Sequence, residues 1–251
     1  RRADATGFVD MQLGGEPWSI WGRRFTPGGT PLGSESHLNA PTSGLLDQPA
    51  VAMAPDGQSV AAWTEWESGV WYQRYDSSGE PVLPADQPLL TEGVSPYDYA
   101  PPTVAIDPED GRFVVVRGTR EGSSPSDPGC TSPRWGLDLV GQRFSGTGET
   151  LGTPLPVLPA QPGGYRNPRA SVAPLGQGDF VAVWAHGNCT GTTPSIPTGR
   201  ILKADGTLSA AFPLTTQTGT TPSVAADTGG NFTVAWSTAA GNWARRFDHM
   251  Q

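Results

Sequence analysis

The chain predicts an all-β fold, a β-propeller of five blades with up to four antiparallel strands each. Three observations carry that reading. A basic-aromatic step that ends a short strand recurs at intervals of about 50 residues, the strands ahead of it are apolar on both faces, and Gly-containing turns fall at matching places. The step reads Arg24-Phe25, Arg74-Tyr75, Arg143-Phe144, the degenerate Ile201-Leu202, and Arg246-Phe247. In such an architecture the core positions come round repeatedly, so the residues that break the repeat are the informative ones.

Ahead of four of the five steps lies a second element: Pro, a short Val-Ala strand, a turn, then an apolar strand. It runs from Pro49 to Trp63, Pro102 to Arg117, Pro168 to Trp184 and Pro222 to Trp236. The apolar strands align as Ser59 to Trp63, Phe113 to Arg117, Phe180 to Trp184 and Phe232 to Trp236. A strand with one wet face alternates, whereas one covered on both faces reads as a continuous apolar run, and blades packed side by side meet that condition. Turns at Asp56-Gly57, Asp110-Gly111, Gly176 to Gly178 and Gly229-Gly230 supply the positive φ that a tight hairpin needs.

After each step comes another turn, as at Pro27-Gly28-Gly29 or Ala204-Asp205-Gly206, then a fourth strand of the type Thr30 to Gly33 or Glu149 to Gly152. Four short strands in up-and-down order make one propeller blade. Blades near 7–40, 48–92, 101–158, 167–214 and 221–251 fill a single domain. The first begins near Gly7 to Met11 without its Pro-Val-Ala strand, and the last stops after its third strand. Either the N-terminal segment completes the last sheet, or the chain belongs to a longer array.

Composition narrows the function classes. With 33 Gly and 26 Pro, more than a fifth of the chain, yet regular apolar runs between them, the pattern is one of many short strands and turns instead of disorder. A net charge of −8 without a basic block offers no electrostatic footprint for nucleic acid. No segment reaches the length of a membrane span, so direct membrane insertion is not expected. Cys130 and Cys189 both fall in loops between the second and third strands of successive repeats, where a disulfide is expected, implying an oxidising compartment. The opening Arg1-Arg2-Ala3-Asp4 fits a mature exported protein whose leader has gone, or equally a trimmed chain.

The pattern resembles repeats of secreted bacterial propeller-like proteins, which run approximately Pro-x-Val-Ala, Asp-Gly-x-Phe-Val-Val-Ala-Trp, Gly-Gln-Arg-Phe-Asp and Gly-x-Pro-x-Gly. It is clearest at Pro102-Thr103-Val104-Ala105, at Asp110 through Val116 and at Gly141-Gln142-Arg143-Phe144, and returns at Phe232 through Trp236 and Arg246-Phe247-Asp248. The resemblance implies a secreted or cell-surface module, the periplasm included, of surface or adhesive proteins. It brings no catalytic residues, and the fourth unit departs from it most.

The search for chemistry turns up little. His37, His186 and His249 stand far apart and without a nucleophile motif nearby, so no triad is supported. No Gly-rich loop opens a helix, which removes the usual phosphate cradle, and no cofactor is expected. Carboxylate pairs matter because propeller glycosidases use them. Glu65 and Glu67, flanking Trp66, are expected on a solvated connecting loop. Asp107, Glu109 and Asp110 are expected in a hairpin turn, with weak calcium binding as the lesser reading; no spaced Asp-x-Asp-x-Asp-Gly loop supports a metal.

Nine tryptophans divide by register. Trp63, Trp184 and Trp236 end the doubly covered strand and are expected to pack between blades, as are Trp21, Trp71 and Trp243. Trp18, Trp66 and Trp135 fall outside the repeat. Arg117 stands where three sister units place Trp; a strand end reaching solvent is the plainer reading, and a ligand pocket the sharper one. Trp66, Arg117 and Trp135 are therefore the candidate ligand-binding residues. A protein or carbohydrate partner is expected through loops 118–136 and 185–197, which carry Cys130, Trp135 and Cys189. The expected function is a non-catalytic extracellular module for adhesion or assembly of a surface complex. A lectin with sugar sites between blades and a carbohydrate-active enzyme are the alternatives.

Overall fold

The computed structural model describes residues 19–40, 46–65, 68–90, 101–120, 137–158, 169–186 and 195–248; Trp18, Trp66, Glu67, Cys130, Trp135, Cys189 and His249 lie outside them. The chain divides into two compact units, Arg1–Pro96 and Tyr97–Gln251. Among the described residues all regular structure is β, in five antiparallel sheets.

In the first unit, β1 (Trp21–Gly22) pairs with β2 (Ser36–His37). Beside this two-stranded sheet stands a four-stranded one, β3 (Leu46–Met53), β4 (Ser59–Glu65), β5 (Gly69–Tyr75) and β6 (Gln87–Leu90), ordered as in the chain. The second unit holds β7 (Thr103–Ile106), β8 (Phe113–Arg120), β9 (Leu137–Phe144) and β10 (Thr150–Leu158). Then come β11 (Arg169–Gly176), β12 (Asp179–Ala185), β13 (Thr198–Leu202) and β14 (Phe212–Pro213). A three-stranded sheet of β15 (Thr220–Ala226), β16 (Phe232–Thr238) and β17 (Gly241–Phe247) completes it.

The doubly covered second strand is realised in β4, where every residue is buried, and in β12, where Phe180 through Trp184 are buried. Trp63, Trp184 and Trp236 are all buried and pack between sheets, as their shared register demands. β16 departs from expectation. Phe232, Val234 and Trp236 are buried, but Thr233 and Ala235 between them are exposed, because that face of the sheet is bare. Trp21 and Trp243 are likewise exposed, at 40% and 48%, instead of packed.

Up-and-down order puts two kinds of connection at opposite ends of each sheet. One end holds the tight turns that join first to second and third to fourth strands, and there the repeated Arg explains itself. Arg24 Nη2 donates to the Ser77 carbonyl, in the turn between the third and fourth strands of the next sheet. Arg143 does the same one repeat pair later: its Nη1 donates to the carbonyls of Lys203 at 3.1 Å and Ala204 at 2.6 Å. Gly79 and Gly206 make room for these guanidinium groups. A Cβ on Gly79 would lie 2.9 Å from Arg24 Nη1, and one on Gly206 2.7 Å from Arg143 Nη2, while φ near +90° at both already selects glycine. The aromatic of the step pairs inside its own sheet: Phe144 stacks on Phe113 at 4.6 Å, and Phe247 on Phe232 at 5.0 Å.

Candidate functional site

Asp107 and Glu65, two of the carboxylates weighed from sequence, take structural roles at their observed positions. Asp107 is fully buried. Its Oδ1 accepts from the Glu109 amide at 2.9 Å and its Oδ2 from the Gly178 amide at 2.7 Å, so one side chain ties the turn before β8 to the turn before β12. Both oxygens are committed. Glu65 is the last residue of β4 and is buried, which corrects the expectation of a solvated loop. Its Oε2 accepts from the Ser68 hydroxyl, which in turn accepts from Trp71 Nε1 at 3.1 Å. The Ser68 amide also donates to the Glu65 carbonyl at 3.3 Å, and these contacts hold the carboxylate inward.

Arg117 does not reach solvent. It is 5% exposed, on the face of β8 that also carries Phe113 and Val115. Opposite lies β9, with Val140 across from Arg117 and Asp138 across from Thr119, so Asp138 is the diagonal neighbour on the same face. A buried guanidinium requires a nearby carboxylate or carbonyls, and Asp138, 4% exposed, is the only acidic residue β9 has. Among the described residues no group of three or more His, Cys, Asp or Glu could hold a metal.

A site that the sequence reading did not anticipate lies wholly within the first unit. Between the β1–β2 sheet and the β3–β6 sheet runs a cleft of about 700 Å³. Four of the large apolar side chains the molecule leaves exposed line it: Phe25 at 36%, Leu32 at 49%, Val51 at 52% and Met53 at 53%. Val51 and Met53 stand on one face of β3, two residues apart, as the pleat requires. The sequence signal was available: the first repeat, ahead of Arg24-Phe25, has no Pro-Val-Ala strand to set against that face. Polar groups also line it, among them Ser36, His37, Glu80 and Asp86.

Several of the groups that line the cleft are held in place from behind. Asp86 Oδ2 accepts from the Ala40 amide at 2.6 Å, and its Oδ1 receives Gln73 Nε2 at 3.5 Å. Gln73 Oε1 accepts from the Arg74 amide at 2.8 Å, and the Tyr75 hydroxyl donates to the Leu38 carbonyl. Asn39 Oδ1 accepts from the Ile20 amide at 2.7 Å. On the rim, Arg23 lies 5.8 Å over the Phe25 ring while its Nε donates to the Gly33 carbonyl, and His37 packs at 3.8 Å against Trp21. Burial pushes the Asp86 carboxyl above the ordinary carboxylate range against the pull of its two hydrogen bonds, and the Glu65 charge pushes it further. Tyr75 is raised as well, by burial first and by the Asp86 charge second. The result is a cleft in which exposed apolar side chains stand beside a carboxyl group held by two hydrogen bonds.

No family model matches the chain, and no curated protein matches it. Solved structures do. A protein of unknown function from Dyadobacter fermentans is similar over 95% of this chain and 70% of its own, at 13% identity and a TM-score of 0.61. A Hadza microbial sialidase is similar over 83% of this chain but only 45% of its own, at 12% identity and a TM-score of 0.53. The α-L-arabinofuranosidase of Fusarium graminearum, solved with arabinobiose, covers 85% of this chain and 66% of its own, at 10% identity and a TM-score of 0.51. Identity at this level speaks to fold alone. Together with five up-and-down antiparallel sheets, it establishes an all-β fold of the β-propeller class.

Proposed function

We propose that the chain is a carbohydrate-binding propeller module of a secreted or cell-surface protein, and that the cleft of the first unit holds the sugar. The observation that carries this reading is the cleft's division between exposed apolar side chains, Phe25, Leu32, Val51 and Met53, and polar groups that include Asp86. A sugar ring presents the same division, an apolar C–H face and a hydroxyl edge, and aromatic or aliphatic surface beside a few fixed polar groups is what holds it. Proteins of similar fold whose names and titles mention sialic acid or arabinose chemistry support the class of ligand. Binding is favoured over catalysis because both oxygens of Asp107 are committed to backbone amides and Glu65 is buried on a serine hydroxyl.

The test is a glycan array followed by calorimetry on the best saccharide. Leu32→Asp and Met53→Glu are expected to weaken binding at least about tenfold while leaving thermal stability unchanged, since both side chains are half exposed. Saturable binding that ignores both substitutions, or no saccharide binding at all, overturns the reading. Trp66 and Trp135 are each proposed, separately, as a further contact residue for a protein or glycan partner; Trp66→Ala and Trp135→Ala in the same assay test this.

The enzyme reading draws on the names of proteins of similar fold, a sialidase and an α-L-arabinofuranosidase. Turnover of arabinan or of a sialoside, abolished by both Asp86→Asn and Glu65→Gln, is the result that it requires.

A further inference from the structure

The register of sheet β3–β6 sets the length of the first unit's cleft. Paired residues of neighbouring strands share a face, so the pairing lines up cross-strand rows. One row runs Val51–Ala61–Gln73. Gln73 Nε2 carries it on to Asp86, which stands one residue ahead of β6. The next row runs Met53–Ser59–Tyr75 and ends on Pro81, the bridge partner of Tyr75. Every member of both rows lines the cleft, so the cleft lies across the strands, from β3 at the edge of the sheet to the residue ahead of β6.

The two ends of that path differ in chemistry. At the β3 end stand Val51 and Met53, both apolar and both exposed. At the other end stands Asp86, which accepts from the Ala40 amide at 2.6 Å and from Gln73 Nε2 at 3.5 Å. An ionised carboxylate has about four lone-pair sites, so about two remain for hydroxyl donors. Between the ends β4 contributes only the small side chains of Ala61 and Ser59. Three strand spacings of about 4.8 Å put Val51 and Asp86 about 14 Å apart. A sugar ring is about 5 Å across, close to one such spacing, so a single ring reaches one end only. The volume agrees: about 700 Å³ lies in the upper part of the roughly 300–1,000 Å³ range of small-molecule sites, more than one ring fills.

We propose, on the sugar reading of this cleft, that it takes a stretch of at least two linked sugar residues, one ring against Val51 and Met53 and a hydroxyl of another on Asp86. The ligand class is thus an oligosaccharide or polysaccharide chain, lying across the strands, and not a free monosaccharide. Affinity grows with chain length until both ends of the path are engaged, because each end offers contacts that a ring at the other cannot make.

Calorimetry on the full chain tests this, with arabinose, arabinobiose, arabinotriose and arabinotetraose, and with the one- to four-residue fragments of the glycan that binds best on the array. The expected result is affinity that rises at least about tenfold from one residue to three and then levels off. Asp86→Asn is expected to remove that gain while leaving single-residue affinity unchanged, whereas Met53→Glu weakens every length. Asp86 also holds the Ala40 amide, so a melting curve on the same samples checks that the Asp86→Asn variant is folded, and the wild-type length series stands independently of it. Equal affinity for one residue and for three overturns the proposal and leaves the sugar reading intact. So does a length gain that a folded Asp86→Asn variant keeps. No saccharide binding at any length overturns both.

Discussion

Arg143 shows how one residue joins two repeats. Its guanidinium ends 60 and 61 positions downstream on two carbonyls of a turn whose own Gly206 has no side chain to obstruct it. Burial holds this guanidinium below its ordinary pKa, though the carboxylates of Asp205 and Asp179 oppose that shift. Substituting Gly206→Ala adds a methyl at 2.7 Å from Arg143 Nη2 and forces a side chain into φ +89°, so a loss of more than about 1 kcal/mol is expected in urea unfolding. Asp107→Ala leaves the Gly178 amide without its charged acceptor, at a cost of about 2–3 kcal/mol in the same measurement. The Arg of the step was legible in the sequence as a recurrence, but its target was not, because that target is a backbone carbonyl some 50 to 60 residues away.

At the scale of the strand, register decides which equal-looking residues carry stability. Trp184 is 2% exposed between two sheets, whereas Trp243 on β17 is 48% exposed and donates only to the Thr238 hydroxyl. Trp184→Ala is expected to cost about 3–5 kcal/mol. Trp243→Ala should stay within about 0.5 kcal/mol, and equal losses in the two variants would mean that β17 is covered. The four-residue turns are stabilised by a second device. Asp76, Asp205 and Asp227 each accept from groups two to four positions on, from Ser78, Thr207 and Asn231 respectively, and those bonds hold all three carboxyls below the usual range. Asp and Gly at these turns were readable in advance, since both residue types act locally. The burial of Glu65 was not, because it depends on Ser68 and Trp71 folding back over the strand end.

For the whole molecule the pH dependence combines groups of opposite sign. His186 is lowered by burial from 6.5, so its contribution is present above that value and is lost as pH falls through its folded pKa. Asp76, Asp205 and Asp227 are lowered from 3.8, so theirs is present above that value and lost on further acidification. Asp86 is raised; its contribution is complete below 3.8 and is lost as pH rises through its folded value. Stability is therefore expected to fall in two stages below neutrality, first below about 6.5 and then below about 3.8. Urea midpoints across that range check it: His186→Gln should remove the first stage, and a midpoint flat from pH 7 to 5 in the wild type would contradict the assignment. The Cys130–Cys189 bond expected from the paired loops is tested separately, by peptide mapping with and without reduction, and two free thiols in the unreduced protein would exclude it.

The β-propeller class, the covering of β4 and β12 on both faces, the turn chemistry and the inter-sheet positions of Trp63, Trp184 and Trp236 were determined by the sequence alone. Each rests on local conformational preference or on a period that repeats, and a repeat makes such signals visible several times over. Tertiary structure alone decided where the Arg of each step ends, that Asp107 is a tie between turns, that Arg117 is buried, and that a cleft opens over Val51 and Met53. These depend on which faces are covered by a neighbouring sheet. That is a property of packing between segments dozens of residues apart, and equivalent positions of the repeat such as Val114 and Thr233 meet opposite fates under it.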